Sequence, residues 1–354
     1  MRLHLNPSSA HRWVPCPASV HMAYNNIIPD DENRNSADEG IQAHVVAHDI
    51  LLGKAFDRSV IDPEMIESGE LYADTIRSMV DISKWNAIIE GYVGAPSIHK
   101  ELGGVPDCRV YDKEANVLHI FDYKYGHRYV DAFENWQLIS YAVCILDNLN
   151  VQDDPLINMV IVQPRSYCKE GPVRVWAMYL SALKPYFERL KDAATKTQLP
   201  DVPCVTGGHC HYCPAAHGCV ALQQAAYTAC DITLNGEYQL ADNDLGKEYD
   251  LLLTAQDRLK SRIAGIEADI EYRIRTGKSV PGYTLEQTTG REGWKVDEQQ
   301  VIDTGELMGI DLKKINVITP AQARKKGLNE EVVAMLSERK PGSMKIAKIK
   351  NYFG

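Results

Sequence analysis

Residues 104–126, GVPDCRVYDKEANVLHIFDYKYG, constrain the fold more than any other stretch of the chain. The runs CRVYD and NVLHIFDYKYG read as strands, and only the short polar KEA separates them. A hairpin turning on Glu114 and Ala115 sets Asp107 across from Asp122. The turn carries no Asn-Gly signal, so this register is an inference from loop length. Strand side chains repeat every second residue, so Leu118, Ile120, Asp122 and Lys124 leave one face together. Charges on a face otherwise fit for burial need a reason, because lone buried ions are costly. The plain reading is a salt-bridged pair at a strand end. The alternative is a reactive patch of two carboxylates and a lysine.

The segments around the hairpin supply helices and further strands. NSADEGIQAHVVAHDILLG reads as a helix opened by a capping box, Ser36 with Glu39, and closed near Gly53; it carries His44 and His48 on one face. LYADTIRSMVDISKWNAIIEGY has Ile76, Val80 and Ile88 at helical intervals, which predicts a helix ending at Gly91 or Gly94. In DAFENWQLISYAVCILDNL, Gln137 and Tyr141 form an i, i+4 pair, and INMVIVQPRS and VRVWAMYL read as two more strands. The mixture predicts an α/β or α+β sandwich. From about Ala241 an amphipathic run predicts a long helix or helical hairpin, followed by a small mixed segment and a basic tail. Domain boundaries are expected at 1–228, 229–290 and 291–354.

Length and composition narrow the class. At 354 residues the chain exceeds one typical domain, and 45% hydrophobic with 24% charged residues is ordinary for a soluble protein. The start, MRLHLNPSSAHRW, has no apolar signal region, and no stretch approaches a membrane span, so a cytoplasmic location is expected. A net charge of -10 argues against a generally basic nucleic-acid coat but not against a local basic surface. The tail RKPGSMKIAKIKNYFG, with Arg339, Lys340, Lys345, Lys348 and Lys350, is either phosphate-binding or simply solvated. Nine cysteines without a signal region do not read as a disulfide framework. Four of them, Cys204, Cys210, Cys213 and Cys219, crowd into CVTGGHCHYCPAAHGC, which points to a metal or cluster. Cys108, Cys144, Cys168 and Cys230 read as ordinary thiols.

Metal-assisted phosphodiester cleavage needs hard oxygen ligands, a nearby cation and an orienting group. Asp107 and Asp122 supply the oxygens, and Lys124 can lower the pKa of an attacking water or stabilise charge on phosphate. Taken together, GGVPDCRVYD, HIFDYKYG and QLISYA resemble the PD-(D/E)XK nuclease superfamily in its RecB-like branch. The Gly-x-x-Asp of that branch is matched by Gly104 to Asp107, its D-x-K by Asp122 to Lys124, and its Q-x-x-x-Y by Gln137 and Tyr141. Its upstream helical histidine after a Glu-Gly pair is matched by Glu39, Gly40 and His44. The resemblance implies a restriction-endonuclease-like mixed sheet flanked by helices. It also implies Mg²⁺ or Mn²⁺ held by His44, Asp107, Asp122 and the Tyr123 backbone carbonyl. Lys124 would act on the water, and Gln137 and Tyr141 would position DNA or brace Lys124. The His44–His48 spacing mimics a zinc-protease H-x-x-x-H, but Val45 stands where that motif needs Glu.

SSAHRWVPCPAS and GHCHYCPAAHGC resemble the iron-sulfur staple of AddB and the CRISPR-adaptation nucleases. By that resemblance Cys16, Cys210, Cys213 and Cys219 hold a structural 4Fe-4S cluster, a loop closure across a long separation. The rival from spacing is Zn²⁺ on Cys204, Cys210, Cys213 and Cys219, or on a set including His209, His211 or His217. The whole chain, with Gly293–Trp294 and ITPAQARKKG, also resembles an uncharacterised phage or prophage family. Together these imply an exonuclease acting on linear double-stranded DNA ends in phage-type recombination, with a single-strand annealing protein as partner and no membrane. The alternatives are a structure-specific endonuclease, a catalytically weak DNA-binding scaffold, and a zinc knuckle that stacks single strands on Tyr212.

Overall fold

The computed structural model describes residues 5–25, 35–151, 153–166, 171–232, 242–312, 320, 323 and 327–348. The chain divides into two compact units, Met1–Ile266 and Glu267–Gly354. The division falls inside one long helix, whereas the sequence reading set boundaries after residues 228 and 290.

The first unit is mixed α/β. Its N-terminal segment holds α1 (Ala10–Trp13) and α2 (Ala18–Asn25), followed by α3 (Asn35–Leu51) and α4 (Pro63–Met79). Next come β1 (Ile88–Ile89), the two-residue strands β2 (Val93–Gly94) and β3 (Gly103–Gly104), then β4 (Cys108–Asp112) and β5 (Val117–Tyr123). After α5 (Trp136–Leu146) follow β6 (Leu156–Val162), β7 (Val173–Tyr179), α6 (Leu180–Lys196) and α7 (Val220–Ile232). The five-stranded sheet runs β1-β4-β5-β6-β7, with β5 and β6 parallel and the other neighbours antiparallel.

Strand alternation sorts the core into two layers. Leu118 and Ile120 of β5 join Ile157, Met159 and Ile161 of β6 under α5 and α6. Phe121 and Tyr123 join Val160 and Val162 under α3 and α4. A sheet buried on both faces reads as continuous hydrophobic runs, which is why LINMVIV shows little alternation. Asp122 and Lys124, by parity, belong to the α5 face.

The hairpin register agrees with the expectation. Cys108 opposes Phe121 and Asp112 opposes Val117, so Asp107 is next in line opposite Asp122. The Asp112 carboxylate accepts from the N–H groups of Glu114 and Ala115, and Asn116, at φ 55, completes the turn. α3 ends as expected, with Gly53 at φ 66 donating to the Ile50 carbonyl. The side chain of Ser36, on which the expected capping box rests, lies outside the described residues.

The second expected helix is corrected at both ends. α4 starts at Pro63, where Asp62 caps the Glu64 N–H, and stops at Met79, not at Gly91 or Gly94. Asp81 accepts from the N–H groups of Ser83 and Lys84 and turns the chain, so Ile88 lies in β1 rather than on a helix face.

The amphipathic run forms a single helix, α8 (Asp242–Arg275). Within the first unit it lies against the turn Ala216–Gly218 inside the cysteine-rich segment. A Cβ at Gly265 would come 2.7 Å from backbone atoms of Ala216 and His217, and Arg262 donates to both of their carbonyls.

The second unit pairs β8 (Tyr283–Trp294) with β9 (Ser337–Lys348) antiparallel, beside α9 (Glu298–Leu307) and a small core of Val301, Leu312, Leu328 and Val333. The backbone of Arg339, Lys340, Lys345 and Lys348 lies in β9; their side chains, and Lys350, lie outside the described residues. Among the described residues no helix is long and apolar enough to cross a membrane.

Candidate functional site

The carboxylate–lysine patch forms where the sheet end meets α3 and α5. Asp107 sits just before β4 and its Oδ2 accepts from the Tyr123 N–H at 2.7 Å, which ties the hairpin strands together at this point. Its Oδ1 lies 3.2 Å from His44 Nδ1 on α3. One strand residue past Tyr123, Lys124 Nζ lies 2.9 Å from Asp122 Oδ2 and donates to Gln137 Oε1 at 3.0 Å. Gln137 Nε2 donates in turn to Asp122 Oδ1 at 2.7 Å. Gln137 therefore braces both members of the pair. It is presented by the first turn of α5, where the Asn135 side chain caps the N–H groups of Gln137 and Leu138. Tyr141, one turn further on, donates to the Val105 carbonyl at 3.0 Å and steadies the segment that leads into Asp107. That segment approaches closely: a Cβ at Gly104 would come 2.8 Å from Pro7 Cδ.

Burial and charge set the protonation states. Burial pushes the Asp122 pKa up, and the neighbouring Asp107 adds to it, while Lys124 opposes both. Burial alone would lower Lys124, but the Asp122 charge and hydrogen bond outweigh it and hold the ammonium protonated. Asp107 is also buried, yet His44, the Tyr123 N–H and Lys124 keep its pKa below the ordinary carboxylate value. His44 is pulled down by burial and raised more strongly by Asp107. Two carboxylates in one site thus differ in acidity, one held ionised and the other poised higher.

The donor set fits a divalent cation. Among the described residues, ligand atoms of His44, His48 and Asp107 all lie within 4.8 Å of one another. Asp122 Oδ2 is buried, with the Lys124 ammonium 2.9 Å away. Of the expected site residues, His44, Asp107, Asp122, Lys124, Gln137 and Tyr141 are all brought together, and Tyr123 joins them through its N–H. The sequence reading noticed His48 but gave it no role, and it missed Glu90, whose carboxylate lies 2.8 Å from His48 Nδ1. Nothing in the spacing around Glu90 singles it out.

A second constellation assembles from the chain's early and late segments. Cys16, Cys204, Cys210, Cys213 and Cys219 line one small chamber with Leu222. All five are free thiols, as are the buried Cys108 and Cys144; the side chains of Cys168 and Cys230 lie outside the described residues. The Val205 N–H points at Cys16 Sγ, 189 positions away in sequence, and the Gly207 N–H points at Cys210 Sγ, both at 3.4 Å. Burial raises Cys210 to about 11, and burial with the Cys219 and Cys16 thiols raises Cys204 to about 12. Such thiols ionise only when a cation compensates. Cys16 and Cys204 both line the chamber, so it draws on both four-thiol sets considered from the sequence. Tyr212, beside it, is 51% exposed, with the Arg128 guanidinium 4.3 Å over its ring.

A family model described as "Protein of unknown function (DUF2800)" matches residues 3–350, so the chain belongs to that family.

Proposed function

We propose that this member of the DUF2800 family is a divalent-metal-dependent deoxyribonuclease acting on linear DNA ends. The observation that carries the reading is the pair of contact groups Asp107–His44 and Asp122–Lys124–Gln137 at one end of the sheet, joined through the Tyr123 N–H. It agrees residue by residue with the RecB-like motifs that the sequence resembles. His44, Asp107, Asp122 and the Tyr123 carbonyl would hold Mg²⁺ or Mn²⁺, which supplies Lewis-acid stabilisation of charge on the scissile phosphate. Lys124, kept protonated by Asp122, stabilises the pentavalent charge or orients the attacking water. Gln137 fixes the lysine and the aspartate relative to one another, which limits the reorganisation the reaction demands. The exposed Tyr212 under Arg128 offers a base-stacking and phosphate-contacting surface beside the cysteine chamber.

For the chamber we favour a structural 4Fe-4S cluster on Cys16, Cys210, Cys213 and Cys219. The entry of Cys16, far away in sequence, into the thiol set supports this reading. Zinc on the local set with Cys204 is the alternative, and visible absorption of protein purified without oxygen separates them, since zinc thiolates are colourless. The activity is tested by incubating linear, nicked and covalently closed DNA with the cluster-loaded protein in Mn²⁺, Mg²⁺ or EDTA. Loss of linear DNA alone, in metal alone, is the expected result. Equal attack on closed circles would favour an endonuclease, and no cleavage under any condition would favour a DNA-binding scaffold. A role in phage recombination beside a single-strand annealing protein belongs to the same proposal and rests on the family resemblance.

A further inference from the structure

His48 lies one helical turn beyond His44 on α3, and the two rings meet edge to face with centroids 6.2 Å apart. Its side chain is only 7% exposed, and its two nitrogens have different fates. Nδ1 is 2.8 Å from Glu90 Oε1, whereas Nε2 is buried with no hydrogen-bond partner. A carboxylate on Nδ1 fixes the neutral tautomer with its proton on that nitrogen, so Nε2 presents a free lone pair. A ring nitrogen of His48 also lies within 4.8 Å of ligand atoms of His44 and Asp107.

Glu90 is held for this task at some cost in backbone conformation. It adopts a left-handed φ of 50 although it is not glycine, and its N–H donates to the Asp107 carbonyl at 3.2 Å. One residue thus anchors both the strand end that carries Asp107 and the ring of His48. A carboxylate–histidine pair with the far nitrogen unpartnered is the arrangement that surrounds metal-bound imidazoles.

We propose that His48 is a further ligand of the metal centre, its tautomer set by Glu90, and that two imidazoles with a carboxylate select a first-row transition ion such as Mn²⁺ over Mg²⁺. The inference rests on the reading of this site as a metal centre and specifies which ion it takes. Imidazole nitrogen is a good ligand for transition ions and a poor one for Mg²⁺, which prefers oxygen and keeps its waters.

The test is direct observation of the bound ion rather than turnover. Full-length protein labelled with ¹⁵N-histidine, with its thiol chamber loaded and loosely held ions removed by EDTA, is titrated with Mn²⁺ and studied by pulsed electron paramagnetic resonance. Two coupled imidazole nitrogens are expected, falling to one in His48→Ala. Calorimetry on the same samples is expected to give at least tenfold tighter binding of Mn²⁺ than of Mg²⁺, with Glu90→Gln and His48→Ala weakening Mn²⁺ by about 10- to 100-fold and leaving Mg²⁺ within about threefold. One or no coupled nitrogen in the wild type, or equal affinity for the two ions, overturns the proposal. If His48→Ala fails to fold, the wild-type nitrogen count still decides. Two nitrogens without DNA cleavage would support this inference while removing the nuclease reading, and cleavage with a single nitrogen would do the reverse.

Discussion

The carboxylate–lysine patch and the cysteine chamber are both candidate metal-binding regions, yet they are built on opposite principles. The patch stands on regular structure: β4 and β5 fix Asp107 and Asp122 by register, α3 carries His44 and His48, and α5 carries Gln137 and Tyr141. Most of its polar groups already satisfy one another, so the fold does not wait for an ion. The chamber stands on short 3-10 turns, Gly208–Tyr212 and Ala216–Gly218, with a thiol from the turn after α1. Burial, with the neighbouring thiols, pushes the Cys204 and Cys210 thiols up. Geometry in the first region is supplied by the sheet; in the second, on the reading proposed above, it is supplied by the cluster. The first should therefore lose function before stability, and the second stability before function.

The strongest challenge to that contrast is Cys213→Ala. Losing a thiol from a group that closes a loop this long is expected to cost about 5 kcal/mol, seen as loss of soluble protein or a steep fall in melting temperature. A stable, fully active variant would place the chamber outside the folding core. Chelation sharpens the same point from the other side: EDTA should abolish cleavage while moving the melting temperature by less than about 2 °C, a shift of roughly 1 kcal/mol for a unit of this size.

Gln137→Ala comes next in size. It strips the brace from Asp122 and Lys124 and leaves a buried carboxylate oxygen unpaired, so a stability loss of about 1–3 kcal/mol is expected with a cleavage rate lower by about 10- to 100-fold. Denaturant melts and initial rates check the two parts separately. Tyr141→Phe is the smallest change. The hydrogen bond to the Val105 carbonyl goes, worth about 1 kcal/mol, together with the hydroxyl's hydrogen bond with Gln137, and turnover should fall a few-fold through a looser Asp107 segment.

The legibility of these two regions in the sequence follows from the same difference. Strand period and loop length were enough to set Asp107 opposite Asp122, because register in a hairpin is local. Helical spacing likewise put His44 and His48 on one face of α3, and Gln137 near Tyr141 on α5. What was not legible came from turns and from contacts between distant segments. The Asp81 turn that ends the α4 region competes locally with helix formation through a single side chain, which apolar periodicity cannot register. Glu90 acts only because β1 pairs with β4 and brings it beside Asp107, a tertiary fact with no local signature. Cys204 and Cys16 both enter the chamber, so spacing alone could not choose between the two thiol sets.

The most direct test of the account compares wild type with Lys124→Ala on linear DNA in Mn²⁺, each variant first verified as folded and loaded. The variant keeps the carboxylates, His44 and the cysteine chamber but lacks the one cation that Asp122 and Gln137 hold in place. A drop in cleavage of about a hundredfold or more, with Mn²⁺ binding retained, is the predicted result. Cleavage at the wild-type rate would mean that the D-x-K patch is a structural ion pair and that the active site lies elsewhere.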